Sequence, residues 1–130
     1  DQESIDYAKE HLANPYFAIC PLSNIFIHRA LPPLNLMREN NLKICLGTDS
    51  LSSNTILSIV KEIECIHKNF PQIPLVEILK WACSNGAQML GKQDVLGSFE
   101  PGKKPGVVLL ENIDWENFKL TEKSTARRLV

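Results

Sequence analysis

Three absences narrow what this 130-residue chain can be. Its four cysteines, Cys20, Cys45, Cys65 and Cys83, never form a C-x-x-C pair, so neither a zinc knuckle nor a redox motif is present. There is no basic excess: with a net charge of −1 the chain offers nothing to neutralise a phosphate backbone, and no nucleic acid is expected as a partner. No apolar run approaches the roughly 20 residues that cross a bilayer. The opening "DQESIDYAKEH" is acidic where a signal peptide would be basic, so no membrane association is expected. Each thiol sits in an apolar context, where a reduced cysteine behaves as a small hydrophobe. The expectation is a soluble, cytoplasmic protein with reduced thiols. Internal repeats and low-complexity tracts are also missing, as is an initiator Met. Because the chain opens in what reads as the first turn of a helix, it is expected to be a piece of something longer.

What is present is an ordinary globular composition, 44% hydrophobic and 22% charged, at a length that suits one domain with a real core. Ile5, Ala8 and Leu12 fall at helical spacing, and Asn14-Pro15 stops that helix. "YFAIC", Tyr16 to Cys20, is a short apolar run between prolines and reads as a buried parallel strand. "PLSNIFIHRALPPLN" reads as a loop, after which Pro33 opens a helix to about Glu39, ended by Asn40-Asn41. "LKICLGT" is the second apolar strand. The helix that follows carries Ile56, Ile59, Val60, Ile63 and Ile66 on one face, with Lys61, Glu62 and Lys68 elsewhere and Ser52, Ser53 or Asn54 as its cap. A further helix spans about Leu75 to Leu90, with a possible division at Asn85-Gly86. Beyond Gly91 the sequence turns to Pro-Gly turns, the strand "VVLLE", and a tail whose alternation at Phe118 and Leu120 suggests one more strand.

Strand, helix, strand implies a right-handed crossover and a parallel sheet, and in such sheets polar groups of function gather at the strand ends. Both strands here end that way, in "CPLSN" and in "GTDSLSSN". Ser23, Asn24, Asp49 and Ser50 are thus pointed to one rim, where an aspartate can bind a metal or move a proton. The same residue types are also the usual helix caps and Asx-turn formers, so both readings stand. Ser52, Ser53 and Asn54 lie nearer the helix and supply caps, which leaves Asp49 without a local task. His11 and His67 fall near helix ends and read as solvated; His28 falls in the loop after the first strand. None is spaced as a metal pair.

Four ordered blocks, "CPLSN", "LPPLNLMRENNLKICLGTDSLSSN", "ILKWACSNGAQMLG" and "LGSFEPGKKPGVVLLE", resemble the C-terminal third of metal-dependent amidohydrolases. The branch is that of guanine- and adenosine-type deaminases and chlorohydrolases, and the likeness runs from about Tyr16 to Ile113. The resemblance implies an α/β fold: the last two strands of a (β/α)8 barrel with their helices over residues 1–92, then over residues 93–130 the C-terminal strands of a small composite β-sandwich. It implies that Asp49, closing strand 8, is a metal ligand and the catalytic proton carrier, and that Ser23, Asn24 and Ser50 face a small-molecule substrate. The implied reaction is hydrolysis of a C–N or C–Cl bond on a ring, with one zinc or iron ion in the full-length protein.

The chain departs from the family at Pro105-Gly106, where Ala-Asp is usual, a change confined to the sandwich. More consequentially, the family's His-x-His pair on strand 1 and single histidines on strands 5 and 6 would lie upstream of Asp1. One carboxylate cannot hold a catalytic ion alone. The piece is therefore expected to bind no metal and to be inactive by itself, and its open sheet edge to make it a homo-oligomer. The rival readings are a non-catalytic α/β binding or structural module whose GTDS loop caps a helix, and a phosphate site at Gly47 and Ser50. The latter has one glycine and no lysine.

Overall fold

A computed structural model describes all 130 residues as a mixed α/β chain. It begins with α1 (Gln2–His11), which Asp1 caps by accepting the Ser4 N–H at 2.9 Å, with Glu3 in its first turn and Lys9 and His11 in its last. β1 (Tyr16–Ile19) follows directly. Pro21 then opens α2 (Pro21–His28), which ends on Arg29 in the left-handed region at φ 54°. After the Pro32-Pro33 turn come α3 (Leu34–Glu39) and β2 (Lys43–Leu46). β1 and β2 pair in parallel, with Tyr16 opposite Lys43 and Ile19 opposite Leu46. The crossover and parallel pair foreseen in the sequence are thus formed, by two helices rather than one.

The long amphipathic helix is α4 (Ile59–Asn69), and Ser58 is its cap, accepting the Lys61 N–H. This corrects the expected start, because Ile56 lies outside the helix and is exposed, and neither Ser52, Ser53 nor Asn54 caps it. The next helical stretch divides at Cys83 rather than at Asn85-Gly86, giving α5 (Leu75–Ala82) and α6 (Ser84–Met89). β3 (Val108–Glu111) and β4 (Thr125–Arg128) form a separate antiparallel pair. Phe118 and Leu120 lie before β4: Phe118 sits in a turn at φ 50°, closed by the Asp114–Lys119 bridge.

One apolar core joins these parts. Ile19 and Ile44 from the parallel pair, Ile63 and Ile66 from α4, and Ile78 and Trp81 from α5 are buried together, and Leu120 from the C-terminal segment joins them. At roughly 25 cal/mol per Å² of apolar surface, each such side chain stabilises the fold by about 1.5–3 kcal/mol. His67 is not solvated as expected: it is 5% exposed on α4, and its Nδ1 accepts the Leu120 N–H at 3.2 Å. All four cysteines are free, with Cys45 and Cys65 buried. No helix is long and apolar enough to cross a membrane.

Candidate functional site

The two parallel strands deliver their following segments to the same end of the sheet. After β1 the chain enters α2 at once, because proline is favourable in a first helical turn, where its missing N–H has no partner to lose. That early start places Ser23 inside the helix, 2% exposed, with its hydroxyl directed at the other strand's exit. After β2, Gly47 donates its N–H to Ile19 O at 2.9 Å, extending the ladder by one bond. A Cβ at Gly47 would stand 3.3 Å from Cys20 Sγ, a tight fit between the two strand ends.

Asp49 then adopts φ 57°, the left-handed region that few side chains other than Asn and Asp accept readily. The Ser23 hydroxyl donates to Asp49 Oδ2 at 2.7 Å, and the Ser50 N–H donates to Oδ1 at 2.8 Å. Hydrogen bonding, the Ser23 hydroxyl first, holds the Asp49 carboxyl below the usual aspartate range. Ser53 Oγ makes its own hydrogen bond to Ser50 O at 3.3 Å. Asp49 is therefore an exposed, ionised carboxylate that is anchored from two elements while each oxygen keeps a further lone pair.

Of the residues singled out in the sequence, Ser23, Asp49 and Ser50 come together. Ser50 is exposed, and its hydroxyl lies 2.6 Å from that of Ser52. Asn24 sits one residue further along α2, with its N–H bonded to Cys20 O and its Oδ1 buried without a hydrogen-bond partner. It makes no contact with Asp49 by hydrogen bond. His28 ends α2 and His11 ends α1, both exposed; neither approaches the strand ends by hydrogen bond.

The sequence reading missed Glu62. The sequence places it off the apolar face of α4, yet it is fully buried, its Oε2 accepting the Leu22 N–H at 2.8 Å and its Oε1 accepting the Asn54 amide at 2.8 Å. Helical spacing carries the signal, because Glu62 lies three residues after Ile59 and four before Ile66, on the apolar side of the helix. Asn54 is likewise engaged at longer range, donating also to Thr48 O at 2.9 Å.

No three His, Cys, Asp or Glu side chains stand close enough together to hold a metal ion. Catalytic metal sites take three or more protein ligands, and this chain supplies one anionic candidate, Asp49. Its donor set fits a share of such a site and not the whole of one.

Comparison with known proteins places this arrangement. Residues 1–126 match the amidohydrolase family. The 5-methylthioadenosine/S-adenosylhomocysteine deaminase of Caldanaerobacter subterraneus is 29% identical over 116 residues, 84% of this chain and 26% of that protein. Among solved structures, Escherichia coli guanine deaminase superposes with a TM-score of 0.71 at 25% identity, over 85% of this chain and 26% of that one. An adenosine deaminase from Xanthomonas campestris with bound zinc gives the same TM-score, 0.71, at 24% identity and the same coverage, which speaks for the fold. The chain thus spans about a quarter of the length of the relatives it matches. With a match along nearly its full length and a strand-end aspartate at the mouth of a parallel pair, the chain belongs to the amidohydrolase family.

Proposed function

We propose that this chain is the C-terminal part of a metal-dependent deaminase that hydrolyses a C–N bond on an aminated ring, with aminopurine nucleosides as the substrate class. In this reading β1 and β2 are the last two strands of a (β/α)8 barrel, and β3 and β4 belong to a small β-sandwich. Asp49 is one ligand of a zinc ion whose other ligands come from the rest of the barrel. The deaminase relatives and the zinc of the Xanthomonas structure support the choice of reaction and metal. When bound, the ion lowers the pKa of water toward neutrality.

The residues of this chain do the rest. Asp49, held ionised, takes up a proton and passes it to the leaving amine, a role that contributes roughly 10²- to 10⁴-fold. Ser23 fixes the carboxylate by occupying one lone pair of Oδ2, so the remaining pairs point in defined directions. Ser50, exposed beside Asp49, and Asn24, whose Oδ1 has no hydrogen-bond partner, face the substrate in this reading. The single observation that carries this reading is the 2.7 Å hydrogen bond joining the exits of two neighbouring parallel strands through a catalytic-type carboxylate. Alone, the piece is inactive and holds no metal. Each strand of the parallel pair has only one strand neighbour, and we propose that the open edge pairs with a second copy.

The test uses the full-length polypeptide that contains this chain, with zinc content measured and ammonia release followed across a panel of aminopurine nucleosides. Asp49→Asn keeps the shape, and the Ser23 hydroxyl can turn to suit it, so the variant isolates charge. The expected outcome is turnover in the parent protein and a fall in kcat of about 10²- to 10⁴-fold in the variant. Unchanged turnover and zinc content in Asp49→Asn refute the assignment. Absence of ammonia release from every nucleoside, with chloride release from chlorinated triazines, assigns the protein to ring dechlorination instead.

A further inference from the structure

Glu62 is the one carboxylate in the chain with no exposed surface, and none of the four ion pairs includes it. A buried charge without a cation is costly and persists where hydrogen bonds answer it. Here two donors do so, and they come from the two segments that carry the candidate site. The Leu22 N–H, next in the chain to Ser23, meets Oε2; the Asn54 amide, which also holds Thr48 O next to Asp49, meets Oε1. With the Ser23–Asp49 bond added, the contacts close a ring: Glu62 to Leu22-Ser23, Ser23 to Asp49-Thr48, Thr48 to Asn54, and Asn54 back to Glu62.

The geometry points to Glu62 as the positioning residue of the site, a buried two-handed acceptor that fixes the start of α2 and the Asp49 loop relative to each other. It touches neither substrate nor metal, and acts through Ser23 and Asp49. This deepens the reading of Asp49 given above and rests on it for functional meaning. The geometric claim is read in this chain alone, without metal or substrate, so its failure leaves the deaminase reading standing and the reverse also holds.

The chemistry of the ring explains why a carboxylate is required. Both partners are donors, so the central group must accept twice. Glutamine has the same shape but one acceptor oxygen and one N–H₂ group. In Glu62→Gln either Leu22 N–H or the Asn54 amide therefore faces another donor, and if Asn54 flips to avoid this it releases Thr48 O. A protonated Glu62 meets the same conflict, because its O–H adds a third donor. The titratable groups that face Glu62 are the thiols of Cys20 and Cys65, both uncharged at neutral pH because burial raises them.

The experiment is NMR on the labelled 130-residue chain. In Glu62→Gln, with secondary structure and core methyl signals unchanged, the Ser50 amide and the Asp49 carboxyl carbon move, and the Leu22 amide exchanges about tenfold faster, the worth of one lost hydrogen bond. A merely structural Glu62 lowers the melting temperature and leaves the Ser50 and Asp49 signals in place, which overturns the proposal. Should Glu62→Gln not fold, Asn54→Ser gives the answer, because it withdraws the amide from both Glu62 Oε1 and Thr48 O: the Ser50 amide and the Asp49 carboxyl carbon are expected to move together with the Leu22 amide. Shifts confined to the neighbours of Asn54, with the Leu22 amide in place, refute the coupling.

Discussion

Gly97 provides the sharpest stability test of how the C-terminal segment is seated. It lies between α6 and β3 at φ 90°, and a Cβ there would stand 2.7 Å from Ala87 Cβ, 3.0 Å from Ser84 Cα and 3.3 Å from Cys83 O. Gly97→Ala therefore meets two costs: left-handed backbone at about 1–2 kcal/mol and overpacking against α6 at about 1–3 kcal/mol. The loss is about 2–5 kcal/mol, a large share of the 5–15 kcal/mol typical of a domain. At about 2.1 cal/mol/K of unfolding entropy per residue, a chain of this length loses a little under 4 °C of Tm per kcal/mol, or about 7–18 °C in all. Gly91→Ala is the control, since Gly91 has φ 63° but nothing within 4 Å of the added Cβ. It carries the backbone cost alone and falls by about 4–7 °C. Thermal melts by circular dichroism, with urea titrations to confirm an unchanged m value, separate the two. Equal melting temperatures for Gly97→Ala and Gly91→Ala refute the packing argument.

His67 makes a pH prediction. Burial first, and Lys119 second, lower its pKa below the usual histidine range. A base with a depressed folded pKa contributes stability that is present above about pH 6.5 and is lost as pH falls through the folded value. The chain is therefore expected to weaken between pH 7 and 5 by a component that His67→Phe lacks, with the Leu120 amide exchanging faster in the variant; parallel pH curves for the two proteins would refute it. Light scattering on the isolated chain is expected to give a mass above the 14.6 kDa of one copy. A clean monomer at high concentration refutes edge pairing.

β1, β2, β3 and the short helix α3 are legible because proline, glycine and asparagine bound short apolar runs, whereas β4, the exposed Thr125–Arg128, lies beyond the Phe118 and Leu120 alternation that suggested it. α2 is not, since a proline after a short apolar run reads as the end of a strand and the start of a loop, whereas proline in a first turn is also a helix opener. The start of α4 was placed too early for a related reason: "DSLSSN" is rich in cap-type residues, while the residue that caps is Ser58. This removes the argument that Ser52, Ser53 and Asn54 free Asp49 from local duty. Asp49 does have a local bond, to Ser50 N–H, and its longer-range tie to Ser23 was beyond any spacing rule. For Glu62 helical spacing signals the burial but not the partners, and for His67 neither is signalled: the donors come from Leu22, Asn54 and Leu120, which are distant in the chain. The blocks around the two strand ends, by contrast, carried the family.

A small contact at the other side of the sheet bears on the edge pairing proposed above. The Asn85 amide donates to Ile44 O at 2.7 Å, so α6 sits as a stopper on the outward carbonyl of β2, while β1 has no such cover. Growth by strand addition needs a free rim at both ends of each unit. If copies pair as proposed above, the plugged carbonyl of β2 steers this sheet toward a two-fold contact through β1, the rim of the parallel pair that no helix amide covers.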